Sequence, residues 1–315
     1  MNGICTLAND RVFDQLVALL NSIEVNIGRE TPVCIYPFDD KLDRIREEIR
    51  DRPNVMIYDD PDSIRAWDEF MQRIAPERLD QSKRLYGAHR RFCAFDAPFD
   101  RFIYMDADTL AMSSMAHIFE LLNQHDWVVY DFQFLDPSKI YNLDSPKLYE
   151  VFPKERIDRE IFCSGFFAGK RGLFTPEQRE TLIAQLLAGD REILYGGAGE
   201  QPVINYMVMK SGIKSCNVAQ LLPFGQSTGC SITSKHFEEK EHVLYDRGLR
   251  LTYLHYIGVK PQRMEQLCQQ GTGDFPYRDL FLHYRFLHQP EQRPVLQAAP
   301  KPTLIQKVLH KLKRA

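Results

Sequence analysis

RFIYMDADTL, the segment from Arg101 to Leu110, is the most informative stretch of this sequence. An apolar run typical of a buried β-strand ends in Asp106 and Asp108, with only the small Ala107 between them. Residues two apart on an extended chain point to the same side at a spacing of about 7 Å, so these carboxylates repel unless a cation bridges them. Hard oxygen ligands suit Mn²⁺ or Mg²⁺. The segment predicts a divalent-cation site at the carboxyl end of a strand, the alternative being a polar loop with Thr109 as a helix cap.

The residues around this segment alternate short apolar runs with helical patterns. The predicted strands are at residues 4–8, 33–36, 55–58, 101–105, 127–132, 161–168 and 251–257. The predicted helices are at residues 12–23, 42–49, 82–95, 176–188 and 203–211, and a long loop is predicted at 135–156. Alternation of this kind before residue 106 is typical of a parallel α/β sheet with right-handed crossovers.

The composition limits the class of protein. Of 315 residues, 44% are hydrophobic and 26% are charged, which is typical of a globular protein and excludes wholesale disorder. The net charge of −3 argues against a dedicated nucleic-acid-binding protein. No apolar run reaches the roughly 18 residues of a membrane-spanning helix, and the N-terminus does not have the pattern of a signal peptide. Seven cysteines without a Cys-x-x-Cys pair favour reduced thiols, so we expect a cytoplasmic protein.

A second polar motif, YLHYIGVKP from Tyr253 to Pro261, follows far downstream. An imidazole at a strand end, here His255, can complete a metal site, although a lone histidine on an apolar strand is more often structural. Gly258 allows the backbone to approach a phosphate closely, and Lys260 supplies a positive charge for it. Together the two motifs predict a site for a cation and a phosphate group.

The pair of motifs resembles the family 8 glycosyltransferases, which include glycogenin, galactinol synthase and bacterial lipopolysaccharide galactosyltransferases. The resemblance spans about residues 3–262. It implies a single-domain α/β GT-A fold, with a Rossmann-like mixed sheet flanked by helices. It also implies a hexosyltransferase that uses a UDP-sugar, retains the anomeric configuration and depends on Mn²⁺ (or Mg²⁺). Asp106, Asp108 and His255 would be the metal ligands, and Gly258 and Lys260 would hold the diphosphate.

The resemblance further implies which residues bind the nucleotide-sugar donor. Arg90, sixteen residues before Asp106, would contact the phosphate or the sugar of the donor. Ala107 and Ser164 would also line the donor site. The residues that would grip uridine are Thr6, Leu7, Ala8, Asn9 and Asp10.

Three residues are candidates for the chemistry at the sugar. Gln201 matches the family residue on the open face of the sugar, and Glu200 and Asp131 would orient sugar hydroxyls. Front-side attack and double displacement both remain open. Alternatively, Glu200 and Gln201 are the N-terminal pair of a helix, where the helix dipole favours an acid.

The chain departs from the family pattern at four places. The late motif is one residue shorter than His-x-x-Gly-x-x-Lys-Pro, and Val12 stands where an aromatic residue stacks on uracil. Cys163 and Glu200 replace an asparagine and an aspartate near the sugar. These departures concern the base and the sugar of the donor more than the reaction class.

Two other functions fit parts of the sequence. A phosphohydrolase of the haloacid dehalogenase type also has a hydrophobic strand followed by Asp-x-Asp-x-Thr, with Asp106 as nucleophile and Asp108 as acid/base. Against it, a long segment precedes the motif, and no Gly-Asp-x-x-x-Asp motif follows. The other alternative is a non-catalytic sugar-nucleotide-binding module that keeps the fold without turnover.

The sequence also predicts how the chain is divided. We expect a GT-A domain at residues 1–288, with a nucleotide-binding half at about 1–110 and an acceptor half at 111–288. A linker and a basic tail would follow at 289–315. Residues 301–315 carry five cations, no acid and apolar residues on one helical face. This pattern predicts attachment to an anionic membrane surface, the alternatives being a helix packed against the domain and a frayed terminus.

The expected partners follow from the resemblance and the tail. The donor would be a UDP-sugar, and the acceptor a saccharide, a lipid-linked saccharide or a polyol, with no nucleic acid. The protein would be cytoplasmic and peripheral at the inner membrane face.

Overall fold

Apolar runs form the strands of this chain. The structure, a computed structural model, describes residues 1–78 and 87–297. Its strands are β1 (Asn2–Ala8), β2 (Val33–Pro37), β3 (Val55–Ile57), β4 (Arg101–Met105), β5 (Thr109–Ala111), β6 (Trp127–Val129), β7 (Phe166–Lys170), β8 (Ser215–Asn217), β9 (Glu238–Lys240), β10 (Val243–Asp246), β11 (Leu249–Arg250) and β12 (Tyr253–His255). The predicted tail at 301–315 lies outside the described residues.

Helices cover much of the chain between the strands. They are α1 (Phe13–Asn26), α2 (Asp43–Glu48), α3 (Pro61–Ile74), α4 (Ala116–Leu121), α5 (Lys147–Val151), α6 (Lys154–Glu160), α7 (Pro176–Leu187), α8 (Glu200–Lys210), α9 (Val218–Leu221), α10 (Pro261–Gln270) and α11 (Arg278–Arg285). A 3₁₀ helix spans Ala88–Phe95, within the helix predicted at 82–95. None of the described helices is long and apolar enough to cross a membrane.

Helix α3 was not predicted, although its sequence explains it. The Asp60 side chain accepts hydrogen bonds from the backbone N–H groups of Asp62 (3.0 Å) and Ser63 (3.1 Å), and Pro61 occupies the first turn. An acidic N-cap followed by proline is a strong start signal for a helix. The helix buries Trp67 against the sheet.

A seven-stranded sheet in the order β3-β2-β1-β4-β7-β6-β8 forms the centre of the domain. Strands β1, β2, β3 and β4 pair in parallel, as predicted. Strand β7 runs antiparallel to both β4 and β6, so the sheet is mixed, as the resemblance implied. The carboxyl ends of β1, β4 and β6 therefore reach the same edge, where α/β sheets bind ligands.

The strand predicted at 161–168 begins only at Phe166. The backbone N–H of Phe162 donates to Asn205 Oδ1 (3.0 Å), and that of Cys163 donates to Asp131 Oδ2 (3.2 Å). Because side chains take these donors, the segment before β7 is a loop at the sheet edge. The loop predicted at 135–156 likewise contains α5 and the start of α6.

Apolar side chains cover both faces of the sheet and form most of the core. Helix α1 packs on one face, and α3, α7 and α8 pack on the other. A third cluster joins α10 and α11 to β10 and β12, next to α1. Burial of this apolar surface is the main favourable contribution to folding, and it fixes the strand ends that carry the polar residues.

Candidate active site

The two aspartates occupy the tight turn between β4 and β5. The backbone N–H of Thr109 and its hydroxyl both donate to the carbonyl of Asp106, at 3.0 and 2.7 Å. The N–H of Asp106 donates to the carbonyl of Gly165 (2.9 Å) in the loop before β7. These bonds hold Asp106 and Asp108 at the carboxyl edge of the sheet, as the sequence predicted.

Strand pairing brings His255 to the aspartates. Strand β12 runs antiparallel to β5, with His255 opposite Thr109, and the N–H of Tyr256 donates to the carbonyl of Asp108 (2.9 Å). His255 Nε2 lies 3.2 Å from Asp108 Oδ1. One ligand atom each from Asp106, Asp108 and His255 lies within 4.8 Å of the others, so the structure contains the candidate metal cluster that the sequence predicted.

Arg91 also contacts this cluster, which the sequence analysis did not predict. Its Nη2 lies 3.2 Å from Asp106 Oδ1, and its Nη1 donates to the carbonyl (2.9 Å) and hydroxyl (3.0 Å) of Ser164. The hydroxyl of Tyr104 donates to the same Asp106 oxygen (2.8 Å). Arg91 is the neighbour of the predicted Arg90, and the sequence AHRRF does not reveal which arginine turns toward the aspartates.

The charges of the cluster depend on one another. Burial, followed by the charge of Asp108, raises the pKa of Asp106. Burial opposes ionisation of Asp108 too, but the adjacent His255 holds the pKa of Asp108 below its usual value. Burial likewise disfavours a charged His255, yet Asp108 raises the pKa of that imidazole well above its usual value. Two carboxylates facing one guanidinium and one imidazole leave a net negative charge once the imidazole is neutral.

Such a donor set fits a divalent cation. Two carboxylate oxygens and one imidazole nitrogen suit Mn²⁺ and Mg²⁺, with open positions for phosphate oxygens. Arg91 and Tyr104 bond only one oxygen of Asp106 in the described contacts, namely Oδ1. The residues present therefore fit the metal that the sequence predicted.

A glycine allows the cluster to assemble. A Cβ atom at Gly165 would overlap the ring of His255 and lie 3.1 Å from Asp106 Oδ2. Only a residue without a side chain leaves room here for both ligands. Gly165 directly follows Ser164, which was predicted to line the donor site, but the closeness of Gly165 to His255 was not predicted.

Ser164 links Arg91 to Gln201. The backbone N–H of Ser164 donates to Gln201 Oε1 (3.0 Å), and its hydroxyl lies 3.3 Å from the same oxygen. Gln201 lies in the first turn of α8, which begins at Glu200. The helix-start interpretation of this pair is therefore right about its position, and the predicted roles at the sugar stay predictions.

Asp131 lies just after β6 and is almost fully buried. Its Oδ1 accepts a hydrogen bond from the N–H of Gln133 (2.7 Å), and its Oδ2 accepts one from the N–H of Cys163 (3.2 Å). Burial raises its pKa to about 7. Asp131 thus fastens the loop that contains Ser164, and its predicted contact with sugar stays a prediction.

The predicted uridine segment ends β1 at the same edge of the sheet. The side chain of Asn9 donates to Asp39 Oδ2 (2.9 Å), and Asp10 accepts hydrogen bonds from the N–H groups of Arg44 and Ile45 (3.2 Å each) at the start of α2. Leu7 and Ala8 are buried, and Thr6 Oγ1 is buried without a hydrogen-bond partner among the described residues. The described hydrogen bonds of Asn9 and Asp10 thus connect the end of β1 to Asp39 and to the start of α2, and the predicted contact with uridine stays a prediction.

Arg90 points to a different acid. Its Nε and Nη2 bond the two carboxylate oxygens of Asp68 (3.1 and 2.8 Å), and its Nη1 donates to the carbonyl of Pro37 (3.4 Å). His89 Nε2 lies 2.7 Å from the same carboxylate. Arg91 rather than Arg90 therefore contacts the aspartates, and the predicted donor contact of Arg90 stays a prediction.

The motif predicted to bind phosphate, which contains Gly258 and Lys260, directly follows β12. Gly258 has φ +80°, a conformation that side chains rarely adopt, and a Cβ there would meet nothing within 4 Å. Lys260 is exposed and occupies the position just before α10, without a side-chain hydrogen bond to the helix start. The turn therefore requires Gly258 for its backbone conformation. Lys260 comes two residues later, shortly after the candidate ligand His255 in the sequence.

Two solved glycosyltransferase structures are similar to this chain in fold. No protein-family profile and no curated protein matches this sequence. Among solved structures, the bifunctional glycosyltransferase WbbM is 13% identical, with a TM-score of 0.54 over 93% of this chain and 51% of that one. The galactosyltransferase LgtC, solved with donor and acceptor sugar analogues, is 11% identical, with a TM-score of 0.52 over 96% of this chain and 98% of that one. This chain spans about half the length of WbbM.

Likeness at this level of identity concerns the fold alone. The mixed seven-stranded sheet flanked by helices matches these glycosyltransferase structures along nearly the whole of this chain. Membership of family 8 is not shown. The predicted architecture is confirmed: this chain is a single α/β domain with the GT-A fold.

Proposed function

We propose that this protein is a metal-dependent, retaining hexosyltransferase that moves a sugar from a UDP-sugar to a saccharide, lipid-linked or polyol acceptor. The observation that supports it is the meeting of Asp106, Asp108 and His255 within 4.8 Å at the carboxyl edge of a GT-A sheet. The GT-A fold and the metal-ligand types of this cluster both support glycosyl transfer as the reaction class. The haloacid dehalogenase alternative is not favoured.

Each residue has a definite part in this proposal. Asp106, Asp108 and His255 would hold Mn²⁺ or Mg²⁺, which when bound neutralises the charge that develops on the leaving diphosphate. Gly258 and Lys260 would bind the diphosphate through backbone and side-chain donors. Arg91 would orient Asp106 through its contact with Oδ1, and its positive charge offsets part of the rise in the pKa of Asp106 that burial causes.

The transfer is balanced in atoms and charge. The bond from the anomeric carbon to the diphosphate oxygen breaks, and a bond to an acceptor hydroxyl oxygen forms on the same face. The hydroxyl proton passes to a phosphate oxygen of the released UDP. Gln201, held through Ser164, would lie along the open face of the sugar.

The donor-binding residues complete the proposal. Thr6, Leu7, Ala8, Asn9 and Asp10 would contact uridine at the end of β1. Arg90 and Ala107 would contact the phosphates or the sugar. Glu200 would orient sugar hydroxyls from the first turn of α8.

The location is part of the same proposal. The enzyme would act in the cytoplasm, with residues 301–315 holding it at the inner face of an anionic membrane. Removing these residues should lower sedimentation with anionic vesicles, and unchanged sedimentation would contradict the role of the tail.

A thermal-shift titration with UDP and GDP, each with and without Mn²⁺, tests the donor site. A ligand that binds only the folded state stabilises it by about 2.7 kcal/mol at a hundredfold excess over its dissociation constant. We expect a shift that needs both UDP and Mn²⁺, is lost in Asp108→Asn and is kept in the exposed control Asp62→Asn. No shift with either nucleotide would contradict the proposal. A shift without turnover of any UDP-sugar would indicate a binding module.

A further inference from the structure

An exposed apolar turn follows α9, close to the candidate site. Leu221, Leu222 and Phe224 are 54%, 38% and 84% exposed. The N–H groups of Gln226 (2.7 Å) and Ser227 (3.2 Å) donate to the carbonyl of Pro223, which closes the turn. Three large apolar side chains displayed within four residues form a patch of the kind that marks an interaction surface.

Positive charges flank this turn. The guanidinium of Arg247 lies 5.3 Å from the ring of Phe224, and its side chain is 58% exposed. Lys235 is exposed and directly precedes His236, which bonds the carboxylate beside Arg247, and exposed acids follow at residues 238, 239 and 241. Asp246, the acid next to Arg247, is buried and bonded to the N–H of Gly229 (2.8 Å) and to His236 Nε2 (2.9 Å), and Arg247 Nε lies 4.0 Å from its Oδ1.

The chain that follows this turn is hydrogen-bonded to residues at the candidate site. A few residues after it, the N–H of Thr228 donates to the hydroxyl of Tyr130 (3.0 Å), next to Asp131. The carbonyl of Cys230 then accepts the N–H of His255 (2.7 Å). A membrane that binds this turn would therefore lie close to the candidate site.

We propose that Leu221, Leu222 and Phe224 insert into an anionic lipid surface, with Arg247 and Lys235 on the lipid phosphates. Apolar side chains flanked by cations have the chemistry of an interfacial membrane contact. Stable attachment to a membrane generally takes two such contacts, so this turn would act together with the tail. The inference rests on the proposed function in one respect: it favours a lipid-linked saccharide as the acceptor.

A fluorescent reporter tests the insertion directly in the full chain. Both native tryptophans, Trp67 and Trp127, are fully buried, so Phe224→Trp adds an exposed indole. We expect its emission to shift to the blue with vesicles of phosphatidylcholine containing phosphatidylglycerol, and brominated lipid to quench it. An unchanged spectrum with these vesicles would overturn the proposal. An equal shift with pure phosphatidylcholine would overturn the part assigned to Arg247 and Lys235.

Vesicle sedimentation measures the strength of the contact. Replacing Leu221, Leu222 and Phe224 together by serine should weaken binding at least about tenfold, with the tail left intact. The control is Leu187→Ser on α7, which is 59% exposed and should bind as the native chain does. Equal binding by the triple variant and the control would overturn the proposal.

Turnover separates this inference from the proposed function. Asp108→Asn should abolish sugar transfer and leave vesicle binding unchanged. The triple serine variant should keep donor hydrolysis in solution and lose transfer to a lipid-linked acceptor. Vesicle binding by a chain that transfers no sugar would contradict only the proposed function.

Discussion

Two acidic clusters of this protein contain the same residue types in different proportions. At Asp68, one carboxylate accepts from both His89 and Arg90, and although burial opposes ionisation these partners hold its pKa below the usual value. Around Asp106, two carboxylates share one histidine and one arginine, and burial raises the pKa of Asp106. The cluster around Asp68 joins α3 to the 3₁₀ helix. The cluster around Asp106 has a second carboxylate, which leaves it with a net negative charge once the imidazole is neutral, and this charge suits a cation. The number of acids, rather than the residue types, distinguishes the candidate metal cluster from the other one.

The largest expected difference between the clusters is in sugar transfer. Asp108→Asn should lower turnover of a UDP-sugar by about 10³-fold, because loss of charge stabilisation in the transition state has effects of this size. Asp68→Asn should lower turnover far less, because Arg90 keeps its own positive charge when its partner becomes neutral. Single-turnover rates at saturating Mn²⁺ measure both. Equal losses in the two variants would remove the distinction between the clusters.

Asp131 differs from both clusters, because it is a buried carboxylate whose two oxygens accept hydrogen bonds from backbone N–H groups. Its pKa is raised to about 7, against about 3.9 in an unfolded chain. A raised pKa means that the stability from this carboxyl is complete below about pH 4 and is lost as the pH rises toward 7, by up to about 1.4 kcal/mol per pH unit. Urea unfolding of the metal-free protein between pH 4 and 8 measures it.

The control for this pH dependence is Asp131→Asn, which cannot ionise. The native chain should lose stability relative to that variant as the pH rises. Parallel stability curves for the two proteins would contradict a raised pKa at Asp131.

Gly165 tests how tightly the charge-rich cluster is assembled. Gly165→Ala should push His255 away from Asp106, because the added Cβ overlaps the imidazole. Displacing a ligand or its support typically lowers metal affinity by about 10- to 100-fold. Isothermal titration with Mn²⁺ measures it, with Gly225→Ala as control, since a Cβ there meets nothing within 4 Å. Native affinity in Gly165→Ala would show that His255 is not a ligand.

The smallest expected effects are on stability without metal. Asp68→Asn should lower the free energy of unfolding by about 2 kcal/mol, because it weakens charged hydrogen bonds to buried partners. Asp106→Asn should change it by less than about 1 kcal/mol, because it also relieves the repulsion from Asp108. Urea denaturation at pH 7 measures both. A larger loss in Asp106→Asn than in Asp68→Asn would reverse the comparison.

Much of the fold could be predicted because it follows from local patterns. Apolar runs gave strands β1 to β4, and the pattern around β4 gave the two aspartates at its end. Helix α3 was missed, although Asp60 and Pro61 signal its start. The strand predicted at 161–168 begins later, at Phe166, because Asp131 and Asn205 accept hydrogen bonds from backbone N–H groups before it. The apolar pattern of the sequence does not reveal these hydrogen bonds.

The candidate site was partly predictable for the same reason. The metal set of Asp106, Asp108 and His255 came from two motifs and a family resemblance, and the structure brings these residues together. Arg91 and Gly165 were missed. Both act through contacts across segments that are far apart in the chain, so neither has a local signal.

The sequence alone indicated that a buried strand is followed at its carboxyl end by two closely spaced aspartates, because an apolar run of this length is typical of a buried strand. It also determined a parallel arrangement in the first part of the sheet. Only the tertiary structure decided that Arg91 faces Asp106 while Arg90 faces Asp68, and that β12 pairs with β5 so that His255 reaches Asp108. The physical reason is that backbone periodicity fixes local geometry, whereas packing of distant segments selects which charged side chains meet.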